Sequence, residues 1–235
     1  MTVERRRPGE RSGGPSVCDR WNRHGDARSY TPLNKVIVVE FEGVLVDSLD
    51  LFCRACIEQL GAGGHTGLAT REKVLQLNDL DWYAALLEEG VCAATQRANE
   101  ARFAELCRDA AVARPFPGIR EAVATLACRN TVVVISWVDS RVARDFCAAH
   151  GIEGLSDVIG SEVDPSNVSK IRRVKAAYGE RSYWYIGDTE TNMREGKAAG
   201  VGTIGVAWGW HGVERLRETL PDHIVYSPAD LLILA

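Results

Sequence analysis

Residues 36–48 read Val-Ile-Val-Val-Glu-Phe-Glu-Gly-Val-Leu-Val-Asp-Ser. A β-branched run ends here in two carboxylates one residue apart, which is the pattern of a buried strand with a chemical tip. Alternate side chains of a strand point the same way. Glu40 and Glu42 are therefore expected to project together from the strand's carboxyl end, where open α/β sheets hold their ligands. Two carboxylates aimed at one spot suit a divalent cation, or a nucleophile paired with an acid/base.

Working outward, strand-like runs recur at 131–137, 156–160, 182–187, 202–207 and 223–226. Helical patterns separate them at about 117–128, 139–150, 167–178, 190–199, 212–219 and 228–234. Apolar strands alternating with helices imply an α/β fold, a Rossmann-like parallel sheet covered on both faces. Residues 49–112 break the rhythm. They read as helices at about 49–61, 69–77, 79–89 and 92–112, a small α-helical cap inserted after the first strand. The Arg-Pro-Phe-Pro-Gly of 114–118 reads as the return hinge. The expected organisation is a tail at 1–34, a core at 35–48 and 113–235, and a cap at 49–112.

The bulk properties narrow the function. With 235 residues and 46% hydrophobic content, the chain can hold one large domain or a core with an insert. A net charge of −4 gives no reason to expect nucleic-acid binding. No apolar run approaches the roughly 20 residues needed to cross a bilayer. The seven cysteines are scattered, mostly within apolar helical patterns, as expected of a reduced cytoplasmic protein. Cys53 and Cys56 form a C-x-x-C without a second ligand pair, and read as packing residues. The Arg, Gly, Ser and Pro of the first 34 residues read as a solvated tail, with Arg5, Arg6 and Arg7 a conceivable anion contact. Nothing indicates an oligomeric state.

Four features fall at or near the carboxyl ends of successive strands. Glu40/Glu42 is the first. Ser136 ends the second run with a hydroxyl able to donate to an anion. Lys170, on a helix announced by Asp-Pro-Ser at 164–166, could hold a phosphate or screen the carboxylates. The run Gly-Asp-Thr-Glu-Thr-Asn at 187–192 makes Asp188 a candidate metal ligand and Asn192 a neutral oxygen ligand or its partner. Oxygen donors of this kind suit Mg²⁺. Singly each has a blander reading: a serine after a strand is usually a helix cap, a lysine is usually solvated, and Gly-Asp is often only a turn. Their order together is more specific.

That order resembles the haloacid dehalogenase superfamily, in its phosphoglycolate-phosphatase-like branch. The resemblance covers about residues 35–235. It rests on Glu-Phe-Glu-Gly-Val-Leu-Val-Asp-Ser at 40–48, where the family usually has DFDGxLxDS, and on the return segment at 115–126. Ser136, Lys170, the block at 187–201 and the closing block at 205–232 complete it. The resemblance implies Mg²⁺-assisted phosphoryl transfer on a small phosphorylated or anionic metabolite. It puts Glu40 at the nucleophile and Glu42 at the acid/base. Ser136 and Lys170 fall at phosphate binding, with Lys170 also in the catalytic set. Glu40, Glu42, Asp188 and Asn192 fall at the metal, Asn192 where the family often has Asp.

Both first-motif acids are Glu instead of Asp. Each extra methylene moves a carboxylate by up to about 1.5 Å, and a 1 Å misplacement can cost about 100-fold in rate. The expected function is therefore a phosphatase-like site with altered or weakened turnover. The alternatives are a non-hydrolytic binding or regulatory protein, and an acid/base enzyme of lyase or isomerase type. Trp137 either narrows the pocket, stacks on a substrate ring or packs under the cap. Ser48 is placed to N-cap the first cap helix, and His211 reads as loop packing.

Overall fold

The computed structural model describes residues 35–78 and 82–235. The expected tail, with Arg5, Arg6 and Arg7, lies outside them.

Strand β1 (Lys35–Glu40) is buried at every position after Lys35. It pairs in parallel on both sides, which accounts for the unbroken apolar run. A two-residue strand β2 (Val46–Asp47) follows, and pairs antiparallel with β3 (Arg114–Pro115). Between them run helices α1 (Leu49–Ala62), α2 (Arg71–Asn78), α3 (Trp82–Glu88) and α4 (Ala93–Arg108). The chain then alternates as α5 (Ile119–Ala127), β4 (Thr131–Ile135), α6 (Ser140–Ala149), β5 (Asp157–Ile159), α7 (Asn167–Tyr178), β6 (Ser182–Gly187), α8 (Glu190–Ala199), β7 (Gly202–Val206), α9 (Val213–Glu218) and β8 (His223–Val225). A 3₁₀ segment, Pro228–Leu234, closes it where an ordinary helix was expected. The large sheet runs β5-β4-β1-β6-β7-β8, parallel throughout.

Period-two alternation divides β1 between two apolar layers. Ile37, Val39 and Phe41 face α5, α6 and the helical segment α1–α4. Val36 and Val38 face α7 through Ile171 and Val174. Each such side chain, fully buried, stabilises the fold by about 1.5–3 kcal/mol. The helical segment shares its apolar core with the sheet: Phe52, Leu60, Phe103 and Cys107 belong to the same buried cluster as Ile37 and Val39. Cys53 and Cys56 are buried free thiols on α1, and burial raises both thiols' pKa values, consistent with a packing role.

The helix expected over 92–112 stops at Arg108, because the Asp109 side chain turns the chain by accepting from the Ala111 N–H at 2.9 Å. The β2/β3 ribbon is too short to leave a periodic signature, and was not expected.

Candidate active site

Strands β1, β4 and β6 are neighbours, so their carboxyl ends bring Glu40, Ser136 and Asp188 to one edge of the sheet. Glu40 is the last residue of β1, on the face of Val36 and Val38. Past it the chain turns. The N–H groups of Leu45 and Val46 both donate to the Phe41 carbonyl, and Gly43 takes φ +70°, a left-handed conformation suited to glycine. Glu42 therefore lies on the turn and does not continue the strand. The two carboxylates do not project as a strand pair, and each finds a different set of donors.

Glu42 is held by the segment that follows β4. Its Oε1 accepts from the Ser136 hydroxyl at 2.8 Å and from the Trp137 and Val138 N–H groups at 3.2 and 3.3 Å. The Val138 N–H also reaches Ser136 Oγ at 3.1 Å. Ser136 thus uses its hydroxyl in an anion cradle, and the anion in it is a side chain of the protein.

Glu40 turns the other way, beneath α7. Its Oε2 accepts from the phenol of Tyr185 and from Asn167 Nδ2 at 3.1 Å. Its Oε1 is buried with no partner. Burial first, and then the charge of Glu42, hold its carboxyl well above the usual range, against the opposing pull of Tyr185 and Lys170. Glu195 joins from α8, accepting from Asn167 Nδ2 at 3.1 Å, its own carboxyl raised by burial.

Lys170 is completely buried. Its ammonium donates to the Ser136 carbonyl at 2.7 Å and to Asn167 Oδ1 at 3.2 Å, so it sits behind the cradle and fixes its backbone. Asp188 follows β6, its Oδ2 accepting from the Trp210 N–H at 2.7 Å. Burial raises its carboxyl to about 7, with the Trp210 N–H opposing and Glu42 adding to the rise. Asn192 belongs to the first turn of α8. Its Oδ1 accepts from the Asp188 and Thr189 N–H groups, each at 3.1 Å, while Thr189 Oγ1 accepts from the Asn192 N–H: a reciprocal cap. Its oxygen thus supports the loop that carries Asp188. Gly187 permits this close approach, since a Cβ there would lie 2.5 Å from Asn192 Cβ.

The sequence profile described as haloacid dehalogenase-like hydrolase matches residues 37–206, most of the chain. The chain belongs to the haloacid dehalogenase-like hydrolase family. It is 26% identical over 179 residues to a phosphoglycolate phosphatase of Haemophilus influenzae, covering 71% of this chain and 79% of that one. It is 24% identical over 206 residues to a phosphoglycolate phosphatase of Synechococcus elongatus, covering 84% and 95%. A haloacid dehalogenase-like family hydrolase from Streptococcus pneumoniae has the same fold: TM-score 0.69, 16% identity, 86% of this chain and 99% of that one.

As a member of this family, the chain invites a test of its residues against a metal. Glu40, Glu42 and Asp188 line one cleft, with Trp137, Thr189, Asn192 and Trp210. The unpartnered Glu40 Oε1, the raised Glu40 and Asp188 carboxyls and the excess of carboxylates over the single Lys170 all favour a divalent cation there. Among the described residues no three His, Cys, Asp or Glu side chains form a ready cluster. Mg²⁺ needs only one or two carboxylates, keeping waters at its other positions, so the donor set fits. The room does not: the cleft holds about 10 Å³, near the space of one water. An ion and its waters require Glu42 to withdraw.

Trp137 is 40% exposed and stands edge-to-face with Trp210, ring centres 5.8 Å apart. It lines both this cleft and a larger cavity. Ser48 stands at the N-cap of α1, but its hydroxyl accepts from Gly43 N–H at 3.1 Å and Trp210 Nε1 at 3.2 Å, so it braces the turn instead of capping. His211 Nδ1 accepts from the Glu190 N–H at the start of α8, 3.1 Å away. Asn167, Tyr185 and Glu195 were not anticipated as site residues. Their signal lies in sheet register: Tyr185 pairs with Val38, which puts its phenol one pleat from Glu40.

Proposed function

We propose that this chain is a slow, Mg²⁺-dependent phosphate-monoester hydrolase for a small phosphorylated metabolite. The observation that carries this reading is the cradle of Ser136 hydroxyl, Trp137 N–H and Val138 N–H, already closed on one anion. Three convergent donors at a strand end suit a phosphate oxygen as well as a carboxylate. With Glu42 withdrawn, they receive the phosphate, and Lys170 keeps the Ser136 carbonyl in place. Glu40 Oε1 is the remaining nucleophilic oxygen: it bonds to phosphorus as the ester P–O bond breaks. Glu42, freed from the cradle, takes up the proton that Glu40 sheds as it attacks and passes it to the leaving oxygen; it then takes a proton from the water that frees Glu40 and returns it to the Glu40 carboxyl. Glu40 and Asp188 are the residues that would hold Mg²⁺, which would supply positive charge against the phosphate oxygens. Helices α1–α4 act as the cap.

Slowness follows from the same geometry. Glu42 must give up its hydrogen bonds before substrate enters. Glu40 Oε2 is committed to Tyr185 and Asn167, which leaves one oxygen to serve both metal and phosphorus. That last observation also favours a second reading, a binding or regulatory protein that holds phosphate esters without cleaving them.

A phosphate-ester panel with Mg²⁺, led by 2-phosphoglycolate, separates the two. The natural chain should release phosphate slowly, Glu40→Ala not at all, and the Glu40→Asp/Glu42→Asp double variant at least about tenfold faster. Turnover by the double variant alone supports the binding protein. Release that survives Glu40→Ala removes Glu40 as the nucleophile, and no release from the natural chain sinks the hydrolase reading.

A further inference from the structure

Beyond the carboxylate cleft, a second cavity of about 370 Å³ lies between the helical segment and the loops after β4 and β5. That volume is typical of sites for small organic ligands. Its wall is aromatic: Phe52, Trp82, Tyr83, Phe103 and Trp137 all contribute. A two-carbon acid has no use for so much ring surface. Asn99, on α4, also belongs to the lining. It is only 4% exposed, and neither its amide oxygen nor its amide nitrogen has a partner. A buried amide left unpaired is costly, and is rarely tolerated without a role.

Trp137 and Val138 line this cavity while their N–H groups hold the carboxylate in the anion cradle. The ring cavity and the cradle therefore share a wall.

We infer that this cavity binds a flat heteroaromatic ring with a hydrogen-bond donor next to an acceptor, as on the edge of a nucleobase. The ring lies against the aromatic wall, and the Asn99 amide pairs with its edge; an asparagine amide matches such an edge in two hydrogen bonds. Ring recognition stands on the cavity and Asn99 alone. That the ligand also carries a phosphate toward the cradle rests on the function proposed above, and makes the substrate class a nucleotide-like monoester.

The test uses the full chain and four probes: adenosine, guanosine, uridine and ribose 5-phosphate, titrated by calorimetry and tryptophan fluorescence. At least one nucleoside should bind saturably and quench the indoles. Its affinity should fall about tenfold or more in Asn99→Leu. Asn99→Leu should melt no lower than the natural chain, since it removes an unpaired polar group, so lost affinity cannot be blamed on unfolding. No saturable binding of any nucleoside, or affinity unchanged in Asn99→Leu, overturns the ring site. Nucleoside binding without ester hydrolysis upholds the ring site and removes only the hydrolase reading. Hydrolysis of ribose 5-phosphate without nucleoside binding does the reverse.

Discussion

Ser136 donates its hydroxyl to the carboxylate of Glu42 at 2.8 Å, and the N–H of Val138 reaches both members of the pair. The site's best anion donors are satisfied from within the chain. A free anion must compete with a tethered one, whose effective concentration is set by a short turn.

Removing the tethered anion should expose the cradle. Glu42→Ala is expected to bind inorganic phosphate at least about tenfold more tightly than the natural chain, by calorimetry. Glu42→Gln keeps the length and loses the charge, and should fall between. Equal affinity in all three proteins would mean that phosphate goes elsewhere.

Tyr185 is wholly buried, and its phenol donates to Glu40. Tyr185→Phe keeps the ring and leaves a buried carboxyl short of a donor. The expected loss is about 1–3 kcal/mol, read as a lower urea midpoint with an unchanged slope. A midpoint equal to that of the natural chain would show that Glu40 does not depend on this phenol.

Stability should depend on pH through Asp188. Its carboxyl titrates near 7 in the fold against 3.8 ordinarily, because burial disfavours the charge. Between those values the folded protein keeps a proton that the unfolded chain has lost. The stabilisation is complete below about pH 4 and is lost as pH rises through 7, on the order of 4 kcal/mol at 1.36 kcal/mol per unit. Glu40, raised too, acts in the same direction. In EDTA the melting temperature should fall from pH 5 to pH 8, and Mg²⁺ should recover part of it at pH 8. Asp188→Asn should flatten the profile and abolish the Mg²⁺ effect. A natural chain with a flat profile would contradict the burial argument.

Gly43 offers a paired comparison. A Cβ there would lie 1.9 Å from Asp188 Oδ2, at φ +70°. Gly64 has a similar φ of +84° with nothing within 4 Å. Gly64→Ala should cost only the conformational penalty, about 1–2 kcal/mol. Gly43→Ala should cost clearly more in a denaturant titration and weaken Mg²⁺ binding, because Asp188 must move. Equal losses would mean that the turn, and not the contact with Asp188, requires the glycine.

The fold was legible because its signals are local. Runs such as Thr131–Ile135 and Ser182–Gly187 sit between helical patterns, and α7 and α8 occupy the residues that periodicity indicated. The positions of Glu40, Ser136, Lys170 and Asp188 follow from strand ends and a known motif order. What each side chain touches was not legible. Strand alternation placed Glu42 beside Glu40, whereas the turn at Gly43 sends it to Ser136. The partners of Glu40 come from β6 and from α7 and α8, far along the chain, and only sheet register brings them near. Asn192 shows the same limit: sequence offers a spare oxygen, and the helix start consumes it.

The two passages between the sheet and helices α1–α4 run side by side, Val46 opposite Pro115 and Asp47 opposite Arg114. The segment thus leaves and re-enters at nearly one point, about the 5 Å spacing of paired strands. In terms of chain path it could be excised, with a short linker joining Asp47 to Arg114. Solubility is what forbids the cut. Phe52, Leu60, Phe103 and Cys107 cover the same layer as Ile37, Val39 and Phe41, and a core without them would present a broad apolar face to water. The insert is detachable in topology and permanent in thermodynamics.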